Sequence, residues 1–400
     1  MIDSDMIPIP PEFASQVRHV SSKDVRTDAE IIAELNTHVP IKSEKNIWTY
    51  WHAGIDAMPT WNKRTICDWV RIHGSGWTVR VLNTVPGHPN HALTWIEPDQ
   101  LPETFVKGTM TGPYTGPHSA DFLRGAALYR YGGAWMDVSC ILFRSLDKIC
   151  WDQLADETSP YTISIPIMFD AYIANAFVAA RKGDEFIGKW HELFMYLWKG
   201  QTDWSGIIKS PLISFVQSVD FSQSQAAGFH WHFDVDPSTV LGYVGQVLAW
   251  FRLAYLKEPN GGFDGVAYYT KHALCFDTLN ELWAAEKTVG FNGEDIYKIF
   301  TTRRDADPES DEYKKAYEAT WRLLTKSSMQ KITHGKALTK DVHCGFLFDQ
   351  NEGSDCAPGT FGELLRYGSV HFEQTRERIE YWDAHRAAPE KVLHKGLLEA

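Results

Sequence analysis

Three ionisable residues stand close together in the stretch SADFLRGAALYRYGGAWMDVSC, residues 119–140. Asp121 and Arg124 are three apart in a segment whose apolar residues, Phe122, Leu123, Ala126, Ala127 and Tyr131, recur with helical spacing. Residues three apart share one face of a helix, so the carboxylate and the guanidinium point the same way. Ser119 is expected to cap this helix and Gly132–Gly133 to end it. The run AWMD then enters a strand and delivers a second acid, Asp137, at the carboxyl end, where a parallel sheet binds its ligands. An acid and a guanidinium near a helix start, with another acid at a strand tip, can grip the hydroxyls of a sugar ring or a ribose. The same spacing also suits an ordinary i,i+3 salt bridge beside a buried capping aspartate, which is the commoner outcome. The residue two past Asp137 is Ser139, a hydroxyl rather than a further carboxylate.

The elements that must hold these residues read as a sheet and its helices. NIWTYWHAG (46–54) is an aromatic and β-branched run ending at a glycine, hence a strand and loop. TWNKRTICDWVRIHG (60–74) has helical spacing and a glycine stop, and WTVRVLN (77–83) alternates as a second strand. Strand, helix and strand at this spacing begin a βαβ unit and predict an α/β protein with parallel strands. YTISIPIMF (161–169) is a further strand, and ANAFVAARKGDEFIGKWHELFMYLW (174–198) is expected to form one or two amphipathic helices. From about residue 240 the pattern turns mainly helical, and the charged end QTRERIEYWDAHRAAPEKVLHKGLLEA is expected to be a helical surface tail. The expected organisation is an N-terminal extension over 1–40, a catalytic region over 41–345, and a loop with helical tail over 346–400.

Composition excludes several classes. The net charge of -12 leaves no basic stripe to neutralise phosphates, so nucleic acid is not an expected partner. An anionic substrate must then be held by a local positive cluster against the global field. The six cysteines contain no CxxC pair, which suits free thiols in a reducing compartment. The acidic, proline-broken start is no secretory signal, and no apolar run reaches the ~18 residues of a membrane span. A cytoplasmic location is expected. No GxGxxG, P-loop or GxSxG motif supports a nicotinamide enzyme, a kinase or a hydrolase.

SADFLRGAALYRYGGAWMDVS resembles the S-D-x-x-R…L-Y-x-Y-G-G-x-[WY]-x-D-x-[DST] signature of retaining glycosyltransferases with the GT-A fold, with Ala120 where the signature has Ser. The nearest resemblance is to the capsular polysaccharide synthesis family, related to the yeast-type initiating α-mannosyltransferases and the sugar-transferring clostridial toxins. IWTYWHAGIDAMPTWNKRTICDWVRIHGSGWTVRVLN is similar to that family's opening segment, and IANAFVAARKGDEFIGKWHEL to the segment that carries an Asn at position 175. The resemblance implies an α/β GT-A type, Rossmann-like mixed sheet flanked by helices, with a mainly helical C-terminal portion. It implies transfer of a hexose from a UDP- or GDP-linked sugar to a hydroxyl on a glycan, lipid or small metabolite, with retention. It places Trp48, Tyr50 and His52 near base and ribose, Asp121 and Arg124 on the sugar hydroxyls, and Asp137 on ribose, sugar and metal. Asn175 is the candidate for positioning the acceptor. The alternative is a non-catalytic nucleotide-sugar-binding or scaffold member of the same fold. A glycoside hydrolase, which needs two carboxylates across a groove, suits the Asp121–Arg124 couple poorly.

The family's usual DxD ends in an acid that ligates Mn²⁺ or Mg²⁺, whereas this chain reads Asp137–Val138–Ser139. Hard cations take much of their site energy from carboxylates, so the triplet poses a choice. Either Mg²⁺ or Mn²⁺ binds through Asp137, Ser139, diphosphate and water, or basic side chains take its place. KITHGK (331–336) supplies the basic candidates Lys331, His334 and Lys336, and resembles a segment near the end of the family's catalytic region. Metal binding with basic help from this turn is expected. Two other clusters draw the eye. DVHCGFLFDQNEGSDCAPGT (341–360) fits no zinc spacing and is expected to be a mobile, glycine-rich loop over the acceptor. HWHFDVD (230–236) is expected to be a histidine-rich loop edge.

Overall fold

A computed structural model describes residues 6–169, 172–218, 222–226, 229–335, 338–384 and 391–400. In chain order the strands used below are β1 Asn46–Tyr50, β2 Thr78–Leu82, β3 Gly133–Met136, β4 Cys140–Leu142 and β5 Ile163–Met168. They continue with β6 Phe177–Ala180, β7 Ala273–Asp277, β8 Met329–Lys331 and β9 Tyr381–Trp382. The helices are α1 Thr60–His73, α2 Thr115–Tyr131, α3 Glu185–Leu197 and α4 Gly245–Tyr255. Three more follow, α5 Asp311–Lys326, α6 Cys344–Gln350 and α7 Phe361–His371.

The central sheet has eight strands, ordered β9-β7-β5-β6-β3-β1-β2, with the two-residue strand Tyr172–Ile173 attached to β5. β1 runs parallel to both β2 and β3, and β5 runs parallel to β7. β6 is antiparallel to β3 and β5, and β9 to β7, so the sheet is mixed. All five residues of β1 are buried, because helices cover both faces. Trp48 and Trp135 point into a core shared with Phe122 of α2, Trp190 of α3 and Trp250 of α4. Their neighbours Ile47, Ala134 and Met136 point the other way, onto Ile66 and Trp69 of α1. That alternation is the two-residue period of a strand. A third core, formed by Trp321, Leu324, Phe348, Leu364 and Leu365, joins α5, α6 and α7.

Two junctions set the site. The first is the passage from α2 into β3, made by Gly132 and Gly133 with φ of 69° and 106°. A β-carbon on Gly133 would fall 2.2 Å from the Asn46 carbonyl oxygen, so only glycine lets β3 lie this close to β1. The second is the antiparallel ladder of β4 and β8, which sets Lys331 opposite Cys140.

The structure corrects four expectations. Ser119 does not cap α2: the helix begins at Thr115, and the Ser119 hydroxyl donates to the Thr115 carbonyl at 2.7 Å. Pro117 sits in the first turn, where a missing N–H costs nothing, so the Gly-Pro pair does not break the helix. FVAA, read as helical, is strand β6, because an apolar run covered on both faces has no period to separate strand from helix. The charged end enters through strand Phe372–Gln374 and holds strand Tyr381–Trp382, with no α-helix after His371 among the described residues. Segment 341–360 is not a loose loop: it contains α6, and Asp355, 1% exposed, is clasped by Arg64 and Arg366. The N-terminal stretch is packed as well, since Val17–His19 pairs with Phe372–Gln374 and Ile31 is buried. Among the described residues, no helix is long and apolar enough to cross a membrane.

Candidate active site

Because β1, β2 and β3 are parallel, their carboxyl ends share one edge of the sheet, and Asp137 follows the last residue of β3 there. Its peptide N–H donates to the Ala176 carbonyl at 2.9 Å, which ties the strand tip to the start of β6. From α2, Arg124 reaches both acids. Its Nη1 donates to Asp121 Oδ1 at 2.5 Å and its Nη2 to Asp137 Oδ1 at 3.4 Å. The guanidinium also lies over the Trp135 ring, 5.3 Å from the centroid.

On the far side of Asp137, Lys331 Nζ donates to Asp137 Oδ2 at 2.8 Å and to Ser139 Oγ at 2.7 Å. The main chain holds it there, with Ile332 N–H donating to the Ser139 carbonyl at 2.9 Å. Burial pushes the Asp137 carboxyl up, but the Lys331 ammonium and the Arg124 guanidinium outweigh it and hold the group below the usual carboxylate range. The result is a continuous chain, Asp121–Arg124–Asp137–Lys331–Ser139, in which two carboxylates face two cations.

Asn175 joins the same cluster, its Nδ2 donating to Asp121 Oδ1 at 3.3 Å and to Gln246 Oε1 at 3.0 Å. Gln246, 1% exposed at the start of α4, was not singled out from the sequence. Its Oε1 also accepts from Arg124 Nη1, and its Nε2 donates to the Asp121 carbonyl at 2.5 Å. The available signal was a lone amide in the apolar run VGQVLAW. His118 and Tyr243 were missed too. His118 Nδ1 lies 3.5 Å from Asp121 Oδ2 inside a ring of Tyr114, Trp198, Trp204 and Tyr243. Burial pushes the Tyr243 phenol up, and the Asp121 and Asp137 carboxylates add to the shift, so this ring borders the acids.

The remaining sequence candidates divide. Tyr50 ends β1 and is buried, its phenol lying against Thr84 and against Ser119, two residues before Asp121. His52 is exposed in the loop beyond, where its carbonyl accepts the Thr84 N–H at 3.1 Å. Trp48 is a correction. It is fully buried, and its indole N–H donates to the Gly132 carbonyl at 3.0 Å, so it packs the core and faces no ligand space. His334 is not part of the cluster either: its Nε2 sits 2.8 Å from Asp349 Oδ2. Lys336 lies outside the described residues. In the histidine-rich segment, His232 Nδ1 lies 3.1 Å from Asp341 Oδ2, and no group of three or more metal-binding side chains occurs among the described residues.

Comparison with known proteins places the chain in a family. A family model described as capsular polysaccharide synthesis protein matches residues 12–205, which carry Asp121, Arg124, Asp137 and Asn175. The "Probable glycosyltransferase FCK3" of Fusarium pseudograminearum is 50% identical over 393 residues, covering 98% of this chain and 99% of that protein. "Glycosyltransferase afumC" of Aspergillus fumigatus is 34% identical over 366 residues, covering 88% of this chain and 92% of that protein. "O-glycosyltransferase PaGT" of Phomopsis amygdali is 34% identical over 384 residues, covering 92% and 90% respectively. Similarity that spans nearly the whole chain makes this chain a glycosyltransferase of the capsular polysaccharide synthesis family.

Proposed function

We propose that the chain moves a hexose from a nucleoside-diphosphate sugar to a hydroxyl acceptor, with retention at the anomeric carbon, on a GT-A type sheet. The observation that carries this is the chain from Asp121 through Arg124 and Asp137 to Lys331 at the carboxyl edge of β3. Carboxylates accept hydrogen bonds from sugar hydroxyls, and a fixed guanidinium and ammonium favour the charge that builds on a departing diphosphate. Asp121 and Asn175 share one hydrogen-bonded group and are suited to orient the sugar and the incoming hydroxyl. Asp121 is held by Arg124, which suits a hydroxyl-binding role better than that of a free nucleophile. That one relative is named an O-glycosyltransferase supports an oxygen acceptor.

The test is a thermal-shift panel of UDP- and GDP-linked hexoses, followed by transfer assays with the sugar that binds. Ligand binding raises the melting temperature by mass action. One donor should stabilise the protein, and Asp121→Asn or Arg124→Ala should lower kcat/KM by about 10²-fold or more. Variants that fold and transfer at the wild-type rate would refute the assignment.

A further inference from the structure

The serine at position 139 and the lysine at position 331 belong to one device. Ser139 Oγ and Asp137 Oδ2 are the two oxygens expected to ligate Mn²⁺ or Mg²⁺, and both accept hydrogen bonds from Lys331 Nζ, at 2.7 Å and 2.8 Å. The ammonium is not a wandering surface group. Its side chain is 16% exposed, and its strand is fixed by the register Lys331↔Cys140. The neighbouring Gln330, 0% exposed, donates to Glu286 Oε2 at 2.8 Å and accepts from the Ala285 N–H at 2.9 Å.

Charge points the same way. Two carboxylates and one divalent cation sum to zero, and so do one carboxylate, one serine and one ammonium. Replacing an acid by Ser139 while placing Lys331 beside Asp137 conserves that balance. From the protein, a divalent ion between the same two oxygens would draw a single carboxylate and sit against the ammonium, and hard cations bind poorly under such conditions. The residues present therefore do not fit a protein-held Mn²⁺ or Mg²⁺.

We propose that Lys331 does the work of the divalent cation, and that this enzyme transfers sugar without a metal. This rests on the nucleoside-diphosphate donor proposed above. An ammonium has three N–H donors. Asp137 and Ser139 take two, and the third is directed at a phosphate oxygen of the donor. When the bond between the anomeric carbon and the phosphate oxygen breaks, its electron pair stays on that oxygen and Lys331 stabilises the charge. The acceptor oxygen bonds to the anomeric carbon, and its proton passes to the departing diphosphate. No oxidant or reductant is required.

The experiment uses the full chain dialysed against EDTA. Uridine diphosphate and guanosine diphosphate are tested by thermal shift, and transfer is measured with the matching sugar donor, each with EDTA and with added Mn²⁺. The expected result is that one nucleotide stabilises the wild type equally in both conditions, and that turnover in EDTA stays within about twofold of that in Mn²⁺. Lys331→Ala should lower kcat/KM by about 10²-fold or more and abolish the nucleotide shift in EDTA. Lys331→Arg should restore part of both, and Ser139→Asp combined with Lys331→Ala should make binding respond to Mn²⁺. Should Lys331→Ala fail to fold, the comparison of EDTA with Mn²⁺ on the wild type decides alone. Loss of binding and turnover in EDTA, restored by Mn²⁺, would overturn the role of Lys331 and leave the donor assignment standing. No binding and no transfer in either condition would overturn both.

Discussion

Gln246→Leu tests whether the donor cluster is held together from the helical part of the chain. The side chain is 1% exposed and only one heavy atom larger than leucine, so the substitution removes its polar contacts while opening little space. Three hydrogen bonds go: the acceptor for Arg124 Nη1, the acceptor for Asn175 Nδ2, and the donor to the Asp121 carbonyl. The first involves a charged group, worth about 1.5–3 kcal/mol, and the other two about 1 kcal/mol each. Greater apolar burial by leucine returns about 1 kcal/mol, so the net loss is roughly 2.5–4 kcal/mol. Urea unfolding reads this as a lower midpoint at unchanged slope. Activity should suffer as well, because Arg124 loses one of the groups that aim it, and kcat/KM should fall by about 10–10²-fold. Gln246→Glu keeps an acceptor for Arg124 but turns the donor facing the Asp121 carbonyl into an acceptor, so it should fall between leucine and wild type. If Gln246→Leu unfolds at the wild-type urea concentration and retains full kcat/KM, Gln246 does not organise the site.

Two further expectations concern buried charge. Burial pushes the Glu286 carboxyl up to about 8, with the Gln330 hydrogen bond offsetting only part of the shift. The folded group is then neutral while the unfolded one ionises near its ordinary value. Its contribution is fully present below about pH 4.5 and is lost as pH rises toward about 8, at about 1.4 kcal/mol per pH unit. Glu286→Gln lacks that proton, so its stability relative to wild type should climb steadily in urea titrations between about pH 5.5 and 7.5, and parallel curves would count against a buried neutral carboxyl. Arg366→Met strips the guanidinium from Asp355 and from Asp68, whose carboxyl burial has already pushed up to about 6. Breaking a buried pair by removing one partner costs about 3–5 kcal/mol. The loss should be larger at pH 8 than at pH 5, where Asp68 can take up a proton.

How much of this was legible follows from distance along the chain. Asp121, Arg124 and Asp137 lie within 17 residues, and one helix, one glycine turn and one strand bring them together, so local rules suffice. The parallel pairing of β1 with β2 was equally accessible through the strand–helix–strand pattern. Lys331 could be named as a basic candidate, but its contact with Asp137 spans 194 residues and depends on the β4–β8 register, which no local pattern encodes. Gln246 touches Asp121 across 125 residues, and the clasp of Asp355 by Arg64 spans 291. The expectation of a loose loop over 341–360 failed for that reason: its glycines and acids look solvated until a distant arginine closes on them. Trp48 shows the opposite limit, since a tryptophan near a strand end suits a core as well as a base platform, and only its burial decides between them.

The site is neutral while the protein carries -12, so binding an anionic donor needs more than attraction. In the free protein each cation is already committed: Arg124 to Asp121 and Asp137, and Lys331 to Asp137 and Ser139. A nucleoside-diphosphate sugar brings hydroxyls as well as phosphates, and that combination suits an exchange of partners. With the donor proposed above, the carboxylates would accept the sugar hydroxyls while the guanidinium and ammonium direct positive charge at the phosphates, so no buried group would lose a partner without gaining another. An inorganic diphosphate offers the negative charge without the hydroxyls and would leave Asp121 and Asp137 uncompensated. On this account hydroxyls, from the donor sugar or the ribose, are needed for the phosphates to bind well. Discrimination between a sugar-linked and a bare diphosphate is thus built into the pairing of acids with cations.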